Sequence, residues 1–185
     1  MRILKVSAYR VMAWKNGGGK TAEIAVSPDG ASMADFDWRL SMADVAGDGP
    51  FSAFPGIDRT LTVIEGAGME LSGDRLPATM LEPGVPFAFS GDEPVFARLT
   101  AGPIRDFNVM SRRGRVRHQV EAVRLQDRLE IRCDNDTTAL VPLMPCRADE
   151  VRLQPFDTLI LGRDEACALT ADVATTVLQI RIDLN

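Results

Sequence analysis

Along the segment FDWRLSMADV, Phe36, Trp38, Leu40 and Met42 fall on one face and Asp37, Arg39, Ser41 and Ala43 on the other. This is the period-two pattern of a strand with two unlike faces. Near the C-terminus, Leu178, Ile180, Ile182 and Leu184 alternate in the same way with Val177, Gln179, Arg181 and Asp183. Further strands are predicted over 2–9, 22–26, 59–65, 67–72, 85–89, 94–100, 105–110, 119–124, 129–133, 137–143, 157–161 and 166–170. No stretch of a dozen residues carries a helical period. The 15 glycines and 11 prolines punctuate the chain in turns such as Pro28-Asp29-Gly30, Pro55-Gly56, Pro83-Gly84 and Gly102-Pro103. Short strands between such turns predict an all-β sandwich or barrel.

That many strands exceed what one small barrel needs, and one phrase recurs. Leu81-Glu82-Pro83-Gly84 followed by Phe87 and Phe89 is echoed by Leu153-Gln154-Pro155-Phe156 followed by Leu159 and Leu161, with a polar segment near 112–118 between the halves. The expected architecture is therefore two fused β-barrels or sandwiches. A barrel with a ligand pocket is expected over 1–115, and a degenerate half over 116–185, packed against it as one compact unit.

Composition narrows the class. The chain has 185 residues, 45% of them hydrophobic and 25% charged, and a net charge of −5; its mean hydropathy is −0.03. These values fit neither a disordered chain nor a membrane protein. No apolar run approaches the ~18 residues of a spanning helix, and the N-terminus lacks the apolar region of a signal peptide, so a cytoplasmic protein without membrane contact is expected. Cys133, Cys146 and Cys167 form neither a C-x-x-C pair nor a disulfide framework and are expected as reduced, packed thiols. A single histidine, His118, excludes a His-rich metal centre. It sits in RRGRVRHQV, where an exposed surface position is expected instead of a catalytic one.

Gly17-Gly18-Gly19-Lys20-Thr21 resembles the end of a P-loop, but the first P-loop glycine would fall on Trp14, and Ala22–Val26 reads as strand, not helix. ATP binding is rejected. The triplet remains open to two readings: an anion nest of backbone N–H groups, or a hairpin whose Trp14 caps the core. Asp106 and Asn108 share one face of an alternating strand, where inward polar groups either bind something or satisfy each other, and outward ones meet water. Arg112, Arg113, Arg115 and Arg117 crowd together, but the acidic balance, a pI near 5.0 and the lack of interleaved aromatics favour a solvated linker over nucleic acid.

Val63-Ile64-Glu65-Gly66-x-Gly68 followed by Pro83-Gly84 resembles the turn signature of cupin barrels. The cupin metal ligands would then fall on Ser52, Phe54, Arg59 and Phe87, which supply no metal-ligand set. Arg59 would place a permanent positive fork where a metal otherwise sits, which suits a carboxylate; the alternative is an ion pair to Asp58, Glu65 or another acid. Trp14-Lys15-Asn16-Gly17-Gly18-Gly19-x-Thr21-x-Glu23-Ile24, Phe36-Asp37-Trp38-Arg39-Leu40-Ser41, Phe51-Ser52-x-Phe54-Pro55-Gly56-x-Asp58-Arg59 and Asp106-Phe107-Asn108-Val109-Met110 together resemble the HutD/Ves family. The resemblance covers 10–115 densely and the rest loosely. It implies an RmlC-like bicupin without metal or other cofactor, in bacterial proteins often associated with histidine-utilisation genes, and a small-molecule binder whose ligand is an acidic intermediate such as N-formylglutamate or urocanate.

The first reading is a binding protein that takes a small anionic molecule into the N-terminal barrel. Arg59 or Arg39 would pair its carboxylate, Asn16 and the Gly17-Gly18 backbone would bond its polar end, Asn108 would orient it, and Trp14 and Phe54 would wall the pocket. The second is a metal-independent isomerase or hydrolase with Glu23 or Asp106 as a general base raised in pKa by burial. The third is a structural or interaction protein whose barrel is filled by its own side chains. Pairing through sheet edges would admit a homodimer.

Overall fold

The computed structural model describes residues 1–14 and 17–185. Among them are nineteen strands and one 3-10 turn, and no helix is long and apolar enough to cross a membrane. The chain divides into two units: Arg10–Val116, and Arg117–Asn185 together with Met1–Tyr9. The sequence boundary at 115/116 lies one residue from this division, but the first nine residues belong with the C-terminal unit. The predicted strand 2–9 is correspondingly interrupted. β1 spans Arg2–Leu4, a 3-10 turn occupies Val6–Ala8, and β2 (Arg10–Ala13) starts the other unit. Arg2–Leu4 pairs antiparallel with Thr158–Ile160, and buried Asp157 adds to the attachment: its carboxylate accepts from the backbone N–H of Val6 (2.8 Å) and Gln154 (2.9 Å) and meets Lys5 Nζ at 3.0 Å.

The Arg10–Val116 unit continues with β3 (Gly19–Ser27), β4 (Trp38–Val45), β5 (Gly49–Phe51), β6 (Ile57–Glu65), β7 (Met69–Ser72), β8 (Thr79–Leu81), β9 (Phe87–Ser90), β10 (Val95–Leu99) and β11 (Ile104–Arg112). They form a six-stranded sheet, β2-β3-β4-β11-β6-β9, and a four-stranded sheet, β5-β10-β7-β8. The other unit contains β12 (Val116–Leu125), β13 (Arg128–Arg132), β14 (Thr137–Pro142), β15 (Cys146–Ala148), β16 (Val151–Leu153), β17 (Thr158–Gly162), β18 (Ala166–Thr170) and β19 (Thr175–Leu184). Its sheets run β1-β17-β14-β19-β12 and β13-β18-β15-β16.

The two units repeat the same strand order at an offset of eight strands: β4-β11-β6-β9 becomes β12-β19-β14-β17, and β5-β10-β7-β8 becomes β13-β18-β15-β16. The weak sequence echo marks the same turn in both. Gly84 and Phe156 each adopt a left-handed φ, of 79° and 68°. The Gly84 N–H donates to the Val63 carbonyl at 2.8 Å, and that of Phe156 to Pro142 at 2.8 Å. The turn therefore survives although Phe156 lacks glycine's freedom at positive φ.

Inward alternation fills each unit. Val45, Leu61, Met69, Leu71, Val95 and Ala97 build one core, and Leu125, Leu140, Leu153, Leu159, Leu161 and Val177 the other. The three cysteines are free and buried within the latter, and burial pushes the thiols of Cys146 and Cys167 up to about 11. His118, expected at the surface, is half-buried on β12, where the strand's alternation turns it partly inward. The basic segment is not simply a solvated linker. Arg112 stacks on Phe36 and donates to backbone carbonyls, Arg113 bridges Asp58 and Asp92, and Arg115 pairs with Asp37.

Candidate ligand site

Strands β4, β6 and β11 lie side by side, and their register decides which side chains share the inner face. Met110 stands opposite Arg39 and Arg59, Asn108 opposite Ser41 and Leu61, and Asp106 opposite Ala43 and Val63. Because paired residues project to the same side of a sheet, a column of polar groups runs through the interior of the Arg10–Val116 barrel. It lines a cavity of about 670 Å³. Of the residues singled out from sequence, Trp14, Arg39, Phe54, Arg59 and Asn108 line this cavity, and Gly17 and Gly18 do not. Asn16 lies outside the described residues.

The glycine triplet closes the hairpin from β2 to β3. Trp14 N–H donates to the Gly19 carbonyl at 2.9 Å, and Gly17, at φ 73°, donates back to Trp14 at 3.1 Å. Trp14 meets Phe51 edge-on and donates its indole N–H to Thr21 Oγ1 at 2.8 Å. The Gly17 N–H is thus engaged with Trp14, and Trp14 stands as a cavity wall. Gly19 is glycine because a Cβ there would run into the Asp44 carbonyl and the Trp14 ring.

The two inner arginines differ in kind, although both are only 4% exposed. Arg39 is spent internally: its Nε donates to Glu23 at 2.9 Å and its Nη1 to Ser41 at 3.1 Å. Arg59 has no carboxylate within ion-pair distance among the described residues. Asp58 pairs instead with Arg113, and Glu65 with Arg105, so the rim ion-pair reading of Arg59 is set aside. Its guanidinium carbon lies 5.1, 5.3 and 6.0 Å from the ring centroids of Phe89, Phe54 and Phe51. One Nη donates to the Ser52 carbonyl at 3.4 Å, and the buried Nε has no partner. Burial, with the neighbouring Arg39 charge, holds the guanidinium down at about 10 against the opposing pull of Asp106.

Asp106 is 1% exposed. Burial pushes its carboxyl up to about 7, because desolvation outweighs the attraction of Arg59. Its Oδ2 and the Oδ1 of Asn108 are buried without partners. Buried polar atoms are almost always satisfied in a folded protein, so one orphaned donor and two orphaned acceptors on one cavity wall mark a place built to receive a polar partner. Glu23, the other candidate base, is tied to Arg39.

A cupin metal does not fit these residues. The positions expected for ligands carry Ser52, Phe54, Arg59 and Phe87, with a cation where a metal would need an electron donor. Among the described residues no three His, Cys, Asp or Glu side chains gather closely enough to hold an ion.

Sequence reasoning passed over Phe51, Phe89 and Gly91. Phe51, at the end of the preceding strand, and Phe89, thirty residues on in β9, box the Arg59 guanidinium. A Cβ at Gly91 would lie 2.8 Å from the Ile57 carbonyl, 2.9 Å from that of Phe54 and 3.3 Å from Arg59 Cδ. No local pattern marks these residues, but the internal repeat marks the site. Aligned through the shared turn, Val63 corresponds to Pro142, so Arg59 corresponds to Thr138 and Asp106 to Val177. The second barrel packs Val177 into its core; the first departs from that pattern with charge. Gly91→Ala is expected to cost about 1–2 kcal/mol of stability through overpacking and to displace Arg59, readable as a lowered melting temperature together with weakened carboxylate binding.

A sequence profile described as HutD matches residues 6–179. An uncharacterized 21.2 kDa protein in the hutC 3' region of Pseudomonas putida is 44% identical over 110 residues, covering 60% of this chain and 57% of that protein. Protein Ves of Citrobacter koseri is 39% identical over 121 residues, covering 65% and 62%. The chain thus spans about three fifths of the length of these curated relatives. Among solved structures, HutD from Pseudomonas fluorescens SBW25 superposes with a TM-score of 0.87 at 32% identity, covering 100% of this chain and 98% of that one. A cupin 2 conserved barrel domain protein from Leptotrichia buccalis superposes at 0.57 with 9% identity, covering 98% and 100%, and shares the fold alone.

Proposed function

We propose that this chain, which belongs to the HutD family, is a metal-independent binding protein that takes a small carboxylate into its Arg10–Val116 barrel. The observation that carries this reading is Arg59, a buried guanidinium with an unpartnered Nε, boxed by phenylalanines and lining the 670 Å³ cavity. A carboxylate would satisfy that fork and supply the hydrogen-bonded anion that it lacks. Trp14, Phe51 and Phe54 would wall the ligand's apolar part, and Asn108 would orient its polar end. A fluorescence change at Trp14 is a natural reporter. The naming of relatives after hut loci supports an acid of histidine breakdown, such as N-formylglutamate or urocanate, and a regulatory or accessory role in histidine utilisation in the cytoplasm.

Calorimetric titration with histidine, urocanate, formiminoglutamate, N-formylglutamate and glutamate tests this. Saturable binding of one acid, unaffected by chelator and lost in Arg59→Ala, is the expected result. The absence of binding to any of the five would sink the ligand class. A second reading, a metal-independent isomerase or hydrolase, is favoured by one observation: Asp106 sits on the cavity wall with a carboxyl poised near neutrality. Turnover of the bound acid, abolished in Asp106→Asn, would decide for it.

A further inference from the structure

We propose that Asp106 is a specificity-determining residue that accepts a proton as the carboxylate binds, so that the site takes up an anion and a proton together. The inference rests on the carboxylate-binding reading above and adds to it what the site does with charge.

The geometry is that of a closed charge set. The charged groups around Asp106 are few and can be named on each neighbouring strand. On β6, Arg59 lies on the same inner face, two residue pairs along from Val63. β4 contributes Arg39, and β3 contributes Glu23, which are paired with each other. Asp44, beside Ala43 on β4, is held by Arg105 and Lys20. The inner face of β11 itself adds the neutral Asn108 and Met110. From the opposing sheet come the apolar Phe51, Leu71, Val95 and Ala97. Arg39 still presses on Arg59, and Asp44 still raises Asp106, but each of these has its own partner, and the two interior charges without an ion-pair partner among the described residues are Arg59 and Asp106.

An incoming carboxylate takes Arg59 as its partner and places a second negative charge beside Asp106. Two anions cannot share a buried cation in low dielectric without one of them protonating. The ligand carboxylate, accepting from the N–H donors of the guanidinium fork, keeps its charge, and the proton goes to Asp106. Its unpartnered Oδ2 then carries an O–H that can donate to the polar end of the ligand. The free carboxyl already titrates close to neutrality, so the proton needed is available at ordinary pH. Above that range Asp106 stays ionised and repels the anion. The site therefore favours carboxylates that present a hydrogen-bond acceptor to Asp106, and it loses affinity as pH rises.

The test uses the full chain with acetate and N-formylglutamate, whose own carboxyls are fully ionised near neutrality. Titration at pH 7.5 in buffers of different ionisation enthalpy counts protons directly. The expected result is uptake of up to one proton per ligand, and an affinity that is level below about pH 6.5 and falls by up to tenfold per unit between about 7 and 8.5. In Asp106→Asn, uptake disappears and the profile flattens. Binding that depends on Arg59 but takes up no proton in the wild type would overturn the inference and leave the binding reading intact. Failure of both probes to bind, or binding that persists in Arg59→Ala, would overturn both. The wild-type proton count stands even if the Asp106→Asn variant does not fold.

Discussion

Replacing Asp106 by asparagine raises the melting temperature at pH 8 and leaves it nearly unchanged at pH 4. The sign follows from burial. The folded-state carboxyl titrates near 7, above its ordinary 3.8, so the folded protein holds this proton more tightly than the unfolded chain does. The contribution is fully present below the unfolded value, declines as pH rises through the folded one, and is level again above it. A shift from 3.8 to about 7 corresponds to roughly 4 kcal/mol at ~1.36 kcal/mol per unit. Asparagine has no such proton to lose. The difference in unfolding free energy between variant and wild type, followed by denaturant titration from pH 4 to 8, isolates Asp106 because the other groups are shared. A difference that does not grow across that range would place Asp106 in contact with water or with a stable counter-charge, contrary to its 1% exposure.

Much of this architecture is legible in the sequence because strands with two unlike faces write their own register. The alternation puts Arg39, Ser41 and Ala43 on one face of their strand and Leu40 and Met42 on the other, and gives Asp106 and Asn108 a shared face; which face looks into the cavity is decided only by the pairing of β4, β11 and β6. The echo between Pro83-Gly84 and Pro155-Phe156 marks a full eight-strand repeat. Charge pairing is less legible, because it depends on distances between strands. Nothing in the chain says that Asp58 serves Arg113 while its neighbour Arg59 is left without an acid, or that Arg39 is already matched by Glu23 sixteen residues away. The attachment of the first nine residues to the C-terminal unit is equally silent, since it rests on the pairing of β1 with β17 and on Asp157, about 150 residues away in sequence. Where local pattern fails, comparison of the two halves recovers the site: a charged pair stands where the other barrel keeps Thr138 and Val177.

A second large effect follows from keeping Arg59 buried without an acid at bonding distance. Arg59→Met is expected to stabilise the protein at pH 5.5 while abolishing carboxylate binding. The methionine stem fits among Phe51, Phe54 and Phe89, with favourable sulfur–ring contacts. The lost charge–ring attraction is worth about 0.5–2 kcal/mol; the relieved desolvation of a buried ion is several kcal/mol. The net gain is about 1–3 kcal/mol, and carboxylate affinity falls by at least about 100-fold with the charged fork gone. The pH matters because Arg59 also steadies Asp106. At pH 5.5 Asp106 is protonated and does not miss the cation, whereas towards pH 8 the variant's Asp106 carboxyl, raised further without Arg59, keeps losing stability after the wild type has levelled off, and the advantage shrinks or reverses. Arg59→Lys separates charge from shape: it keeps the cation, loses the planar fork, and binds more weakly than wild type but more tightly than Arg59→Met. Parallel melting and titration of the two variants at pH 5.5 and 8 checks all four expectations. A methionine variant less stable than wild type at pH 5.5 would mean that the guanidinium holds the barrel together, and the site would then be a structural device with room beside it. A more stable variant that no longer binds would place the charge there for the ligand, at the expense of the fold.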